Sequence, residues 1–208
     1  GLKKLIIVSP REKWPNQKSI NSSAKAYKII NKTKVYTNLQ QALSNFNFVI
    51  GTSARKRFLE KPHIDSFSNL FSSNLIFGDT AILFGPENSG LSNDDLMLCD
   101  TIFSIPLKNK NFSLNLSHAV LLLSYKWQEL KNNKKLISNS NIHKISKKKD
   151  FNNFMNFLKN ELEISGFLKP KIKNKSMFHN IQTMFLRAKL NKKEIQTLWG
   201  MIKNLKNN

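Results

Sequence analysis

The chain has 208 residues, 40% of them hydrophobic, with 34 Lys and Arg against 13 Asp and Glu for a formal charge of +21. That length and apolar content are enough to bury the core of one medium domain plus a small appendage, which excludes a disordered tail. No run approaches the roughly 18 consecutive apolar residues of a membrane span, and the apolar stretch in the opening GLKKLIIVSP is too short for a signal peptide, so a cytoplasmic location is expected.

Cys99 is the only cysteine; it can form no internal disulfide and has no Cys or His neighbour at metal-ligand spacing. It reads as a buried apolar filler, and no metal site is expected. The excess of cations favours a polyanionic partner, nucleic acid first, through counterion release. All but four of these cations are Lys, and Asn and Ile are abundant too, so drifting composition on a solvated surface is the alternative source of the excess. Binding to a membrane surface is the weaker alternative, because no single helix concentrates Lys opposite an apolar face.

In chain order, short β-rich runs fall at 5–8 (LIIV), 34–36 (KVY), 48–52 (FVIGT), 80–85 (TAILFG) and 101–105 (TIFSI), with helical patterns between them at about 19–30, 38–45 and 93–98. This alternation predicts a parallel sheet flanked by helices. TAILFG has no polar alternation, as a strand covered on both faces should, and is expected at the centre of the sheet. Ser92 before Asp94 and Asp95 is a capping signal for the third of these helices. A longer helix begins near Asn115 and repeats Leu116, Ala119, Val120, Leu123, Trp127 and Leu130 on one face.

Residues 131–150 are rich in Lys, Asn and Ser and read as a linker, which divides the chain into domains at 1–130 and 151–208. Beyond the linker, three stripes predict a small all-helical module: Phe151, Phe154, Leu158 and Leu162; then Met177, Ile181, Met184 and Ala188; then Ile195, Leu198, Trp199, Ile202 and Leu205. Gly166 and Pro170 punctuate the end of the first helix, and Asn191 with Glu194 resembles a capping box for the third.

Three segments could carry chemistry. ILFGPENSGL at 82–91 is a buried strand ending in a turn with two glycines and one carboxylate, where bare backbone can approach a ligand. Leu91 and Ser92 follow Gly90 where a phosphate-binding loop needs Lys and Ser or Thr, so nucleotide hydrolysis is disfavoured; an ordinary strand-to-helix turn fits the glycine spacing equally well. Ile105-Pro106, a Lys- and Asn-rich loop and then FSLNL at 112–116 bring a helix start whose free N–H groups can grip a ligand, although on spacing alone plain capping by Ser113 and Asn115 is the favoured reading. GTSARKR at 51–57 sets small residues and three cations at the C-terminal end of a strand, where open α/β sheets collect ligands, or forms a solvated basic turn. His118 has no partner in the pattern and reads as a structural or surface residue rather than a catalytic base.

Together these segments resemble the SpoU branch of the SPOUT RNA methyltransferases. GPENSGL at 85–91 and the stretch from Ile105 to Ala119 are similar to that family's second and third motifs. GTSAR at 51–55 resembles the first cofactor loop of the TrmJ-like subgroup, and the tail from Phe151, with SGFLKP and MFLRAKL, resembles its C-terminal extension. The resemblance implies an α/β SPOUT fold with a deep trefoil knot, in which the segments after Gly85 and Ile105 thread through one another around S-adenosylmethionine. Carried over by position, Thr52, Ser53, Ala54, Gly85, Ile105, Phe112, Ser113 and Leu114 would touch the cofactor. Ser113 and Asn115 would orient the reacting end, Glu87 would brace the turn carrying Gly85, and Arg55 and Arg57 would hold RNA phosphate.

The implied activity is methylation of a ribose 2′-hydroxyl, with tRNA and its anticodon loop as the first expectation and ribosomal RNA as an alternative. A homodimer is implied, with the buried face of the helix after Asn115 as a candidate contact. The family's first motif, a strand and helix carrying an Asn and an Arg, would precede Gly1, and Pro86 stands where some relatives carry Arg. A non-catalytic RNA-binding homologue is therefore the reading from a different class.

Overall fold

The computed structural model describes residues 2, 4–55, 61–72, 78–107, 114–132 and 144–206. Its strands and helices run β1 (Ile6–Val8), α1 (Gln17–Ser22), α2 (Tyr27–Asn31), β2 (Lys34–Tyr36), α3 (Leu39–Leu43), β3 (Phe48–Thr52), β4 (His63–Ile64), α4 (Phe67–Ser72), β5 (Thr80–Leu83), α5 (Asn93–Met97), β6 (Thr101–Phe103), α6 (Leu116–Asn132), α7 (Lys148–Ile164), α8 (Lys171–Ala188) and α9 (Lys192–Lys206). The pattern read as one helix at 19–30 is broken into α1, a single 3-10 turn and α2, because Ala24 takes φ 47°. β4 and α4 escaped the sequence reading: the strand is two residues long and the helix six, too short for periodicity to register.

Every described strand pairing is parallel. β1 pairs with β2, and a four-stranded sheet runs in the order β4-β6-β3-β5. β5 is therefore an edge strand among the described residues, and β3 and β6 hold the centre. Both faces of β5 are nonetheless covered, as its unbroken apolar run requires. Ile82 and Phe84 pack on a cluster of Phe48, Ile50, Leu70, Phe103, Leu123 and Ile145, while Ala81 and Leu83 pack on Leu43, Val49, Leu91, Leu96, Cys99 and Ile102 on the other side. Coverage of two faces and central position are separate properties, and the sequence pattern reports only the first. Cys99 is fully buried in the second cluster, as expected of a filler.

α6 lies on the first cluster through Leu123 and Trp127. Its inward face is thus occupied by the sheet and is not open to a second subunit. The large apolar residues it leaves exposed, among those described, are Val120, Leu121, Leu122 and Tyr125.

The linker reading does not hold at its ends. α6 runs to Asn132, Ile145 and Ser146 are buried, and α7 begins at Lys148; residues 133–143 lie outside the described residues. The Lys148 ammonium sits 2.6 Å from the Asp100 carboxylate with both side chains buried, and the second Asp100 oxygen accepts the Val49 N–H at 2.7 Å. Asn47, also buried, donates to the Ile145 carbonyl at 2.6 Å. A Lys in a run of lysines looks solvated, so nothing local announces this pair. Removing one partner of a buried ion pair costs roughly 3–5 kcal/mol, so the contact fixes where α7 meets the sheet even if its net contribution is small.

α7, α8 and α9 share a cluster of Phe151, Phe154, Met155, Leu158, Leu186 and Ile195. The stripe expected on α8 is rotated: Phe178, Ile181 and Phe185 face the cluster, while Met184 and Ala188 are exposed. The Asn191 and Glu194 box is present, each side chain accepting the other's N–H, at 3.0 and 2.7 Å. Leu205, expected on the third stripe, is exposed.

Lys61 is buried beside Cys99 and donates to the carbonyls of Met97, at 3.0 Å, and Cys99. Burial pushes the Lys61 ammonium down from 10.5 to about 8 and the Cys99 thiol up from 9.0 to about 12. From pH 8 to 10.5 the unfolded chain binds more protons at Lys61 than the folded one, so stability rises with pH; from 9 to 12 the folded chain retains the Cys99 proton that the unfolded chain loses, so stability falls. Only the interval from pH 8 to 9 belongs to Lys61 alone. The unfolding free energy measured in urea should rise by roughly 1 kcal/mol across it, and a Lys61→Met variant should lack the rise.

Candidate active site

The C-terminal ends of β3, β5 and β6 meet at one edge of the sheet. Register sets Gly51 beside Leu83 and Thr52 beside Phe103. The Thr52 hydroxyl donates to the Leu83 carbonyl at 2.9 Å, and the Ser53 N–H donates to the Phe103 carbonyl at 3.0 Å. The Ser104 hydroxyl closes the arrangement by donating to the Ser53 carbonyl at 2.5 Å, with His63 Nε2 3.0 Å from the same hydroxyl. The Ser53 hydroxyl turns back on its own loop, donating to the Arg55 carbonyl at 2.9 Å. These side chains are spent on holding the three loops together, so a ligand at this edge would meet backbone and apolar surface.

After β5 the chain makes a turn that only glycine allows at its first position. A Cβ on Gly85 would lie 2.2 Å from the Gly90 carbonyl carbon and 2.3 Å from the Leu91 nitrogen, far inside any real contact. The turn is closed by the Gly90 N–H on the Pro86 carbonyl at 2.7 Å, Gly90 adopts φ +69°, and buried Leu91 anchors its far side in the core. Ser92 then caps α5 in a capping box with Asp95, which ends the turn cleanly.

Asn115, at the start of α6, does two things at once. Its Oδ1 accepts the Ser117 N–H at 2.9 Å and the Ser117 hydroxyl at 2.6 Å, which is a cap; its Nδ2 donates to Glu87 Oε1 at 2.5 Å. Capping and site-building are therefore not alternatives here. An open cleft of about 300 Å³ lies beside the turn, lined by Arg11, Pro86, Glu87 and Asn88.

Of the residues singled out in the sequence, Thr52, Ser53, Ala54, Gly85, Ile105, Leu114, Asn115, Glu87 and Arg55 are described. The sheet edge gathers the β3, β5 and β6 loops, and the Glu87 bond ties the α6 entry to the turn. Ile105 packs partly against the core, and Ala54 and Arg55 are exposed. Phe112, Ser113 and Arg57 lie outside the described residues. His118 is exposed on α6. Sequence reading missed Ser104, His63 and Arg11; the first two follow no motif, and Arg11 is 75 residues from the turn it faces, a separation no spacing argument spans.

A family model for the SpoU rRNA methylases matches residues 1–125. The chain belongs to the SpoU rRNA methylase family. This SpoU methylase is 31% identical over 211 residues to the tRNA (cytidine/uridine-2′-O-)-methyltransferase TrmJ of Sodalis glossinidius, a match covering 99% of the chain and 81% of that protein. It is 33% identical over 206 residues to an uncharacterized tRNA/rRNA methyltransferase of Haemophilus influenzae, covering 97% of the chain and 83% of the relative. Among solved structures, TrmJ from Z. mobilis ZM4 superposes with a TM-score of 0.86 at 27% identity, over 99% of this chain and 88% of that one. The α/β arrangement of parallel strands and helices is thus that of the SPOUT methyltransferases.

Gly85→Ala should unfold the turn or displace it as a unit, because its Cβ meets main chain rather than a movable side chain. Gly90→Ala meets nothing within 4 Å and carries only the strain of its positive φ, about 1 kcal/mol. In thermal melts the first variant should lose several times more stability than the second; equal losses would mean the close approach is absent.

Proposed function

We propose that this SpoU methylase transfers a methyl group from S-adenosylmethionine to a ribose 2′-hydroxyl of tRNA. The observation that carries the reading is the joining of the Gly85–Leu91 turn to the start of α6 through Glu87 and Asn115, at the sheet edge where the loops after β3 and β6 also end. The relatives named as tRNA 2′-O-methyltransferases over almost the whole chain support the same substrate class.

The residues fit such a cofactor. The hydroxyls of Thr52 and Ser53 are already engaged, leaving backbone groups and the half-buried apolar side chains of Ile105 and Leu114, which suit a nucleoside better than a free anion. When bound, S-adenosylmethionine supplies an electrophilic methyl group on a sulfonium. The protein's part is to align the ribose oxygen with that group and to accommodate the hydroxyl proton. Asn115 fixes one oxygen of Glu87, which keeps the carboxylate on the cleft wall. Glu87 is the one carboxylate lining that cleft among the described residues. Ser113 and Asn115 would orient the reacting end, and Arg55 and Arg57 would hold RNA phosphate, for which a guanidinium fork is well shaped.

The reading extends to a trefoil knot formed by the segments after Gly85 and Ile105. It also includes a separate helical C-terminal unit of α7 to α9 whose basic surface grips RNA, and a cytoplasmic homodimer whose contact uses the exposed Leu121, Leu122 and Tyr125 of α6. Among the described residues no helix is long and apolar enough to cross a membrane.

Calorimetry with S-adenosylmethionine and nuclease digestion of unmodified tRNA after incubation with chain and cofactor test this function. Cofactor binding together with a 2′-O-methylated nucleoside in the anticodon loop is expected. Absence of both from the folded chain would leave an RNA-binding homologue.

A further inference from the structure

The cleft beside Pro86 is lined by one cation, and no motif had drawn attention to it. Arg11 lies on the connection from β1 to α1, which is fixed at both ends. Ser9 adopts φ 46°, its N–H donates to the Tyr36 carbonyl at 2.8 Å, and its hydroxyl donates to the Thr37 carbonyl at 2.9 Å. Asn16 caps α1 by accepting the Ser19 N–H at 2.8 Å, and its amide donates to Glu12 at 3.1 Å. The carboxylate next to Arg11 in sequence is therefore engaged elsewhere. Glu87, across the cleft, is held by Asn115. Arg11 is exposed and forms no ion pair among the described residues.

An exposed guanidinium on a braced loop, at a cleft whose one carboxylate is held by Asn115, is arranged to receive an anion. Pro86 offers no N–H to such a ligand and Glu87 opposes it, so the attraction has to come from Arg11. The cleft opens to solvent on a chain of charge +21, which suits a phosphate within a long polyanion. We propose that Arg11 is an RNA-binding residue that holds a backbone phosphate at this cleft, beside the Glu87 and Asn115 pair. This rests on the function proposed above and adds to it the group that seats the strand at the reacting end.

The test uses the full chain, wild type against Arg11→Ala and Arg11→Lys, with an unmodified tRNA transcript in fluorescence anisotropy from about 50 to 200 mM salt and with S-adenosylmethionine in calorimetry. Arg11→Ala should weaken tRNA binding about 3- to 10-fold and reduce the slope of log affinity against log salt by about 1, with cofactor affinity unchanged and Arg11→Lys between the two. Unchanged tRNA affinity and slope in Arg11→Ala would overturn the proposal. So would a loss confined to the cofactor, since Arg11 would then be serving the carboxylate of the cofactor's methionine part. Failure of the wild type to bind tRNA would instead remove the wider functional reading, and this proposal with it.

Discussion

The site depends on a hydrogen bond between residues 28 positions apart, from the Asn115 amide to the Glu87 carboxylate at 2.5 Å. Glu87 belongs to a turn whose shape is set by bare backbone at Gly85, and Asn115 belongs to the first turn of the helix that covers the sheet. Because the same Asn115 side chain also caps α6, the helix start and the turn cannot move independently without losing one function of that side chain. The cap alone is worth about 1 kcal/mol; the bond to a charged acceptor adds positional restraint where the chemistry needs it.

The rest of the fold keeps that junction in place. Three parallel strands end together, and the Thr52, Ser53 and Ser104 bonds tie their loops across the sheet edge. On one face α6 packs through Leu123 onto Phe48, Ile50 and Phe103; at the other end of the strands, Asp100 links the β3 backbone to Lys148 and so to the C-terminal helices. α8 adds a contact on the side of the turn, where Lys175 pairs with Asp94 of α5 at 2.9 Å. The hydroxyls nearest the proposed cofactor pocket serve the scaffold, so that recognition falls to backbone, apolar contact and the few charged groups around the turn.

How much of this the sequence disclosed varies with the range of the interaction. β-rich runs and the caps at Ser92 and Asn191 are local and were legible, as was the resemblance carried by 51–55, 85–91 and 105–119. The position of β5 in the sheet was not, since an apolar run reports cover on two faces and is silent about neighbours. Lys61 and Lys148 were hidden among many solvated lysines, and only tertiary packing distinguishes them. On α8 the periodicity was present but its phase was misread, because Met184 and Ala188 are apolar yet exposed while the aromatics Phe178 and Phe185 take the core. Glycine spacing left the turn at Gly85 ambiguous; the 2.2 Å clash that a side chain would make there gives the spacing its reason.

The most direct test of the account is a double-mutant cycle on methyl transfer to tRNA, using Glu87→Ala, Asn115→Ser and the pair together. Serine keeps a capping oxygen at 115 while removing the amide that reaches Glu87. If the two side chains act as one unit, each single change lowers kcat/KM by about 10- to 100-fold and the double variant loses little more than the worse single. Losses that multiply in the double variant would contradict the account.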